Sequence, residues 1–182
     1  MSTPEHIQPH PVRENPFHAD DVLALLRENQ WLLAEPSPEH LVFCERAAAL
    51  LGHFAHDCIE LSNLLRLVFV YDAAAVMLST EAHAVLSRYA ARDVVRHLAL
   101  LLLDGGPFTS DRFKDVVTHL KETLEARGRD LFHPIRLALA GRAGEGELDR
   151  VILLVDEAAA LPFAVPVKDV RTRILEFCAA LE

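Results

Sequence analysis

The stretch Arg129-Asp-Leu-Phe-His133-Pro134-Ile-Arg136-Leu-Ala-Leu-Ala-Gly141-Arg142 carries the strongest pattern in this 182-residue chain. From Leu131 to Ala140 its apolar residues have helical spacing and enclose a single arginine, Arg136. Gly141 follows the last apolar residue, as is typical of a helix C-terminus, and a second arginine follows the glycine. The stretch therefore predicts a short apolar helix that leads into a glycine-rich loop at 141–146.

The same helical periodicity recurs on both sides of this stretch, and no segment alternates polar and apolar residues over the length of a strand. The other predicted helices run from Asp20 or Asp21 to Leu33, from Glu39 to Leu51, from Ala55 to Val70, from Ser79 to Asp104, from Thr109 to Gly128, from Glu147 to Ala160 and from Val167 to Leu181. We predict an all-α fold of two small helical bundles, 17–104 and 105–182, divided near Gly105-Gly106. Residues 1–16 hold four of the ten prolines and are expected to form a flexible tail.

The charge of the chain excludes non-specific binding of nucleic acid. The net charge is −9, and residues 1–104 contribute −7 of it, with 7 basic and 14 acidic residues. An acidic chain repels phosphate at long range, so any contact with RNA must come from a local cluster of arginines.

Cysteine usage and hydropathy favour a cytoplasmic protein. Cys44, Cys58 and Cys178 are odd in number and far apart, and no Cys-x-x-Cys spacing exists. This pattern is typical of reduced, mostly buried thiols and argues against a zinc site or a disulfide framework. We expect no signal peptide, because no basic segment precedes an apolar run at the N-terminus, and the longest apolar runs, such as Leu98–Leu103, are too short to span a bilayer.

The residues give no indication of catalysis. There is no Gly-x-Ser-x-Gly nucleophile turn and no phosphate-binding loop ending in Gly-Lys-Ser/Thr. His53 and His56, with Asp57 and Glu60 nearby, could hold a metal, but no third ligand from another helix is marked. Histidines on a helix surface or in a core are the favoured alternative, so we predict neither a metal nor a cofactor.

Four arginines surround the short apolar helix. Arg127, Arg129, Arg136 and Arg142 fall within 16 residues. Guanidinium groups suit RNA because they donate two hydrogen bonds to phosphates and base edges and also stack on bases. Arginines also commonly flank helices on solvated faces, so composition alone leaves RNA binding as one of two alternatives.

The segment from Leu131 to Arg142 resembles the anticodon-reading motif of bacterial glutamyl-tRNA synthetases, which typically runs Leu-x-x-Pro-Leu-Arg-Val-Ala-Leu-Thr-Gly-Arg. The resemblance extends from about Asp20 to Glu182. Thr80-Glu-Ala-His-Ala-Val-Leu resembles the Leu-Thr-Pro-Glu-Val helix start of that family, and the residues from Leu148 onward resemble its Gly-Leu-Phe-Glu-Leu-Leu-Ala-Leu-Leu helix. Only the motif is specific, since the rest is helical pattern in the same order.

This resemblance implies a cage of two helical subdomains that splays and recognises an anticodon. By the resemblance, Arg136 is the motif arginine that contacts a base edge, and Arg142, Glu145, Gly146 and Leu148 line the loop. We expect Arg129 and Arg142 to hold phosphate or stack, and His56 and Leu148 to belong to the base pocket. His56 takes the place of an arginine in the first subdomain. The implied partner is tRNA, most naturally the glutamate tRNA, and not DNA or a membrane.

The signatures of a catalytic domain are missing from these 182 residues, which hold no ATP or glutamate site. The resemblance therefore implies a free-standing or truncated anticodon-binding domain that is not an enzyme by itself, or one that works in trans with a catalytic synthetase partner.

Departures from the motif keep a second hypothesis open. Ala140 replaces the usual threonine, and Glu145 and Glu147 put two carboxylates in the loop, where they cost RNA binding. The stretch His53-Phe-Ala-His56-Asp stands where the family often has Pro-Arg-Val-Arg-Thr. The alternative is a synthetase-derived helical scaffold that has lost RNA binding and contacts protein. A positive strip joining Arg129, Arg136 and Arg142 to His56 would favour RNA over this alternative.

Overall fold

The computed structural model describes residues 14–182, in which helices alternate with short loops. The α-helices are α1 (Ala19–Glu28), α2 (Pro38–Leu51), α3 (Cys58–Phe69), α4 (Ala73–Met77), α5 (Thr80–Leu86), α6 (Ala91–Leu102), α7 (Ser110–Leu124), α8 (Arg129–Ala140), α9 (Gly146–Ala159) and α10 (Val170–Leu181). A 3₁₀ turn at Gly52–Phe54 follows α2, and residues 14–182 contain no strand. The predicted all-α fold is confirmed. No helix of this part is long and apolar enough to cross a membrane.

Short polar side chains fix several helix starts. Ser37 accepts a hydrogen bond from the backbone N–H of His40 at 3.3 Å, and Asp57 accepts one from Glu60 at 2.8 Å. These bonds satisfy N–H groups that have no partner within the first turn of a helix. The first helix begins at Ala19, just before the predicted Asp20 or Asp21, and Asp21 instead accepts a hydrogen bond from the backbone of His18 at 2.8 Å.

The long helix predicted from Ser79 to Asp104 is wrong, because the chain breaks there into α5 and α6. Ala90, at the break, has φ 64° and ψ −5°, a left-handed conformation that interrupts the ladder of helical hydrogen bonds. The periodicity of the apolar residues does not reveal that a single residue has a left-handed backbone conformation. The break leaves Tyr89 95% exposed at the surface.

One hydrophobic core runs through the described residues. Helix α9 packs against α2 and α3 on one side and α8 on the other, while α6 packs against α8 and α10. Buried residues from both predicted bundles, such as Leu65 and Ile152, belong to the same cluster. The packed core extends across the turn at Gly105-Gly106. The predicted division at this turn concerns units of folding, and it stays a prediction.

A buried arginine joins three helices at the centre of the molecule. Arg173 of α10 is 0% exposed and donates hydrogen bonds to four backbone carbonyls, those of Leu67, Val68, Leu139 and Lys168, at 2.6–3.0 Å. Its guanidinium also lies 4.8 Å from the centre of the Tyr71 ring. Burial lowers the pKa of Arg173 to about 10. The side chain supplies donors to carbonyls near the ends of α3 and α8 and so fixes both helices to α10.

The predicted flexible tail lies mostly outside the described residues, which begin at Glu14. Within the described part, the side-chain amide of Asn15 donates a hydrogen bond of 2.8 Å to the carbonyl of Ala48, and Phe17 is buried. The chain is therefore attached to α2 from Asn15 onward.

Candidate nucleic-acid interface

Arg136 lies beneath the loop that follows α8. It is 8% exposed, and its Nε and Nη2 each donate a hydrogen bond of 2.8 Å to the two carboxylate oxygens of Asp149 on α9. Its Nη1 donates to the carbonyl of Gly144 at 3.0 Å, and the guanidinium stacks 4.9 Å from the centre of the Phe132 ring. Arg136 thus connects α8, the loop and the first turns of α9.

The Asp149 carboxylate is the charged partner of this arginine. Burial works to lower the pKa of Arg136, but the hydrogen bonds and the negative charge of Asp149 outweigh burial, and the pKa is raised above its ordinary value. The pair is bidentate, the geometry that arginine and carboxylate groups favour. Arg136 is therefore a charged group whose donors are already engaged.

The loop itself is shaped by two glycines and a carboxylate. Gly141 ends α8 with φ 81°, a left-handed conformation that glycine adopts without a steric penalty. A Cβ on Gly144 would come within 3.0 Å of the Leu148 side chain, so the loop packs closely on the start of α9. The Glu147 side chain accepts a hydrogen bond of 3.1 Å from the backbone N–H of Glu145.

Two of the predicted site residues meet in one cleft. A surface cleft of about 430 Å³ separates the 3₁₀ turn and α3 from the loop, and its lining residues are Phe54, His56, Glu60, Asn63, Leu64, Arg142 and Glu147. Arg142 and His56 are both exposed there, and Arg142 has no ion-pair partner among residues 14–182. The cleft combines one unpaired cation, an imidazole and an aromatic ring with two carboxylates.

The other predicted residues lie elsewhere. Leu148 is 1% exposed and belongs to the core beneath the loop. Arg129 is exposed at the first residue of α8, about 16 Å along the helix axis from Ala140. A strip joining Arg129, Arg136, Arg142 and His56 is therefore interrupted at the surface, because the middle arginine is buried and paired.

A second group of cations surrounds His133 on α8. The Arg88 guanidinium lies 3.2 Å from Nδ1 of His133 and so connects the α5–α6 turn to α8. Burial, followed by the positive charges of Arg88, Arg136 and Arg129, lowers the pKa of His133, and only Glu145 acts in the opposite direction. Lys121 contributes another cation, 5.8 Å from the centre of the Phe132 ring.

The histidines near the cleft form no metal centre in residues 14–182. No group of three histidine, cysteine or acidic side chains there has the arrangement that a metal ion needs. Glu60 instead accepts a hydrogen bond of 2.6 Å from the backbone N–H of His56.

The predicted site residues did not include Asp149, Arg88, Tyr89 or His133. No sequence signal distinguished Asp149, because α9 also contains Glu147, Asp156 and Glu157. Nothing in the pattern indicates that Arg88 meets His133, because the two residues are 45 positions apart, one in the α5–α6 turn and the other on α8.

These helices and the loop define the class of the protein. Residues 21–155 match the anticodon binding domain family, and the chain belongs to that family. The match includes α8, the loop, most of α9 and both sides of the cleft.

Among characterised proteins, the chain is similar to glutamate–tRNA ligases, which confirms the predicted resemblance to that family. It is 37% identical over 87 residues to Glutamate--tRNA ligase 2 of Syntrophus aciditrophicus (strain SB), and the match covers 47% of the chain and 16% of that protein. It is 46% identical over 41 residues to Glutamate--tRNA ligase 2 of Coxiella burnetii (strain RSA 331 / Henzerling II), over 22% of the chain and 9% of that protein. The chain thus corresponds to a small part of these relatives. No solved structure matches it significantly.

Proposed function

We propose that this chain binds tRNA as an anticodon-binding module of the glutamyl-tRNA synthetase type, with the glutamate tRNA as its cognate RNA. Membership of the anticodon binding domain family over residues 21–155 carries this proposal. The module does no chemistry by itself, acts in the cytoplasm, and works free-standing or with a catalytic synthetase partner.

The cleft between α3 and the loop is the proposed anticodon site. Arg142 is exposed there without a carboxylate partner among the described residues, so its guanidinium is available to a phosphate or a base edge. Phe54 and His56 add ring faces on which an unpaired base can stack. Glu60 and Glu147 repel phosphate, so we expect bases of the RNA, and not its phosphates, to lie beside these two carboxylates.

In our proposal, Arg136 and Leu148 lie beneath this site and support the loop that forms one side of it. The bonds of Arg136 to Asp149 and to the Gly144 carbonyl hold the loop that carries Arg142. Direct recognition of a base edge by Arg136 stays a prediction, and it requires the pair with Asp149 to open. Arg129, at the far end of α8, is expected to hold a phosphate outside the cleft.

Binding of the full chain to glutamate tRNA tests the proposal. Affinity is measured at two salt concentrations for the natural tRNA and for a transcript with an altered anticodon. We expect anticodon-dependent binding that weakens with salt, because phosphate contacts release counterions. Arg142→Ala is expected to weaken binding by about 1–3 kcal/mol if this arginine contacts a base edge. Arg171→Ala is the matched control, since Arg171 is an exposed arginine at the start of α10, beside Gly105.

A second pair of variants distinguishes two roles of Arg136, holding the loop and contacting a base. If Arg136 acts by holding the loop, Asp149→Ala weakens tRNA binding as much as Arg136→Ala does. If Arg136 contacts a base, Asp149→Ala leaves most of the affinity in place. Equal affinity of the wild type for both anticodons would contradict anticodon recognition.

A protein-binding scaffold is the competing hypothesis. One observation favours it, an open groove of about 410 Å³ between α2 and α9 that is lined by Pro38, Val42, Phe43 and Leu161 and flanked by Glu39 and Glu157. Absence of binding to any tRNA, with the fold intact by circular dichroism, would support this second function.

A further inference from the structure

Tyr89 is the most exposed large apolar side chain in the described residues, at 95%. It lies in the turn between α5 and α6, which the backbone hydrogen bonds from Arg88 to Val85 and from Ala91 to Arg88 close at 3.2 and 3.3 Å. Ala90 takes its left-handed conformation immediately after it. The ring is therefore presented to solvent by an ordered turn, without a packing partner among residues 14–182.

The neighbours of Tyr89 are cationic. Arg88 is exposed and contacts Nδ1 of His133, and no carboxylate of residues 14–182 forms an ion pair with it. Arg129 lies on the same side of α8 as His133, four residues earlier, and has no ion-pair partner among the described residues. Asp130 is next to Arg129 in the chain, and Glu145 faces His133 from the loop. Asp93, four residues after Tyr89, lies 3.9 Å from Arg96.

We propose that Tyr89, Arg88 and Arg129 form a second RNA contact, at which an unpaired base stacks on the Tyr89 ring while its flanking phosphates bind the two arginines. The inference rests on the proposed function and extends it beyond the cleft at Arg142. An exposed ring beside unneutralised guanidinium groups is the combination that single-stranded nucleic acid requires. Elsewhere the chain is acidic, with a net charge of −9, so phosphate is attracted only where such cations gather.

The position of this surface allows one RNA loop to contact both sites. His133, where Arg88 joins α8, precedes Gly141 by eight residues, or about 12 Å along the helix. The cleft at Arg142 begins directly after Gly141. In our proposal, an anticodon loop bound in the cleft places its next unpaired nucleotides on Tyr89.

The test compares Tyr89→Ala and Tyr89→Phe in the full chain, with glutamate tRNA and with a double-stranded RNA of similar length as probes. Tyr89→Ala is expected to lower affinity for the tRNA about tenfold, the usual loss for one stacked base, and Tyr89→Phe to retain the affinity. Neither change should alter binding of the duplex, whose bases are already stacked. Because the side chain is 95% exposed, both variants should unfold at the wild-type temperature.

Photocrosslinking gives a second, independent readout. A tRNA with 4-thiouridine in its anticodon loop is irradiated on the wild-type chain, and mass spectrometry should locate a crosslink on Tyr89 or Arg88. Wild-type affinity of Tyr89→Ala, alongside a loss for Arg142→Ala, would overturn the second contact and leave the proposed function in place. Failure of the wild type to bind any tRNA would overturn both the second contact and the proposed function. Arg27→Ala, at an exposed arginine on α1, is the control for the loss of charge in Arg142→Ala.

Discussion

Replacing one partner of the Arg136–Asp149 pair tests how the loop is held. Removing one member of a fully buried ion pair costs about 3–5 kcal/mol, because the other charge is left without a partner. Here the two side chains are 10% and 22% exposed, so water reaches Asp149 and reduces the penalty. We therefore expect Arg136→Met and Asp149→Leu each to lower the free energy of unfolding by about 2–3 kcal/mol.

The double variant separates the pair from its surroundings. Arg136→Met combined with Asp149→Leu leaves no unpaired charge, so it should be less destabilised than the sum of the single variants, with a coupling of about 2 kcal/mol. Urea unfolding followed by circular dichroism measures these values. For a chain of this size the single losses correspond to a fall in melting temperature of about 4–12 °C.

A second readout reports on the loop itself. Arg142 is exposed, so trypsin can cleave after it when the loop opens. Cleavage at Arg142 should be faster in both single variants than in the wild type, whereas Arg27→Ala, which removes an exposed pair with Glu35, should leave it unchanged. Additive unfolding energies in the double variant, or unchanged cleavage at Arg142, would refute the proposed role of the pair.

Three further predictions concern buried and titratable groups. Arg173→Met should lower the free energy of unfolding by about 3 kcal/mol or more, measured by urea unfolding, because four carbonyls lose their donor, and Arg173→Lys should not restore it, since an ammonium group has only three donors. Ellman's reagent should react rapidly with Cys58, which is exposed, and with Cys44 only after unfolding, because Cys44 is 0% exposed and burial raises its pKa to about 11; rapid reaction of Cys44 in the folded protein would contradict this. The pKa of His133 is lowered in the folded protein, so the unfolded chain binds its proton first as the pH falls below about 6.5. The wild type should therefore lose stability relative to His133→Gln between pH 7 and 5, and a constant difference across that range would count against the lowered pKa.

Particular helices show how far sequence analysis reached. The α8 helix and its end at Gly141 were predicted correctly, because apolar spacing and a glycine C-cap are local signals. The break between α5 and α6 was missed, since it depends on one alanine in a left-handed conformation. Leu33 was expected in the first helix but lies beyond its end and is 75% exposed.

For the predicted site residues too, the sequence indicated some positions correctly but not the contacts that the side chains make. His56 and Arg142 lie in one cleft, although the resemblance to the family implied only that both contact RNA. The sequence carried no sign that Arg136 would be engaged by Asp149, 13 residues later on the next helix. A sequence motif shows that an arginine is present, but it does not show whether the guanidinium faces solvent or a carboxylate.

Local sequence was enough to predict the helical periodicity, the glycine that ends α8 and the family to which the chain belongs. Which charged groups are paired and which are available to a ligand depends on how the helices pack. Periodicity indicates which face of a helix is buried, but it does not identify the side chain that meets that face from another helix. The contacts of Arg88 with His133 and of Arg173 with Leu67 join residues 45 and 106 positions apart, and only the packing of whole helices brings such residues together.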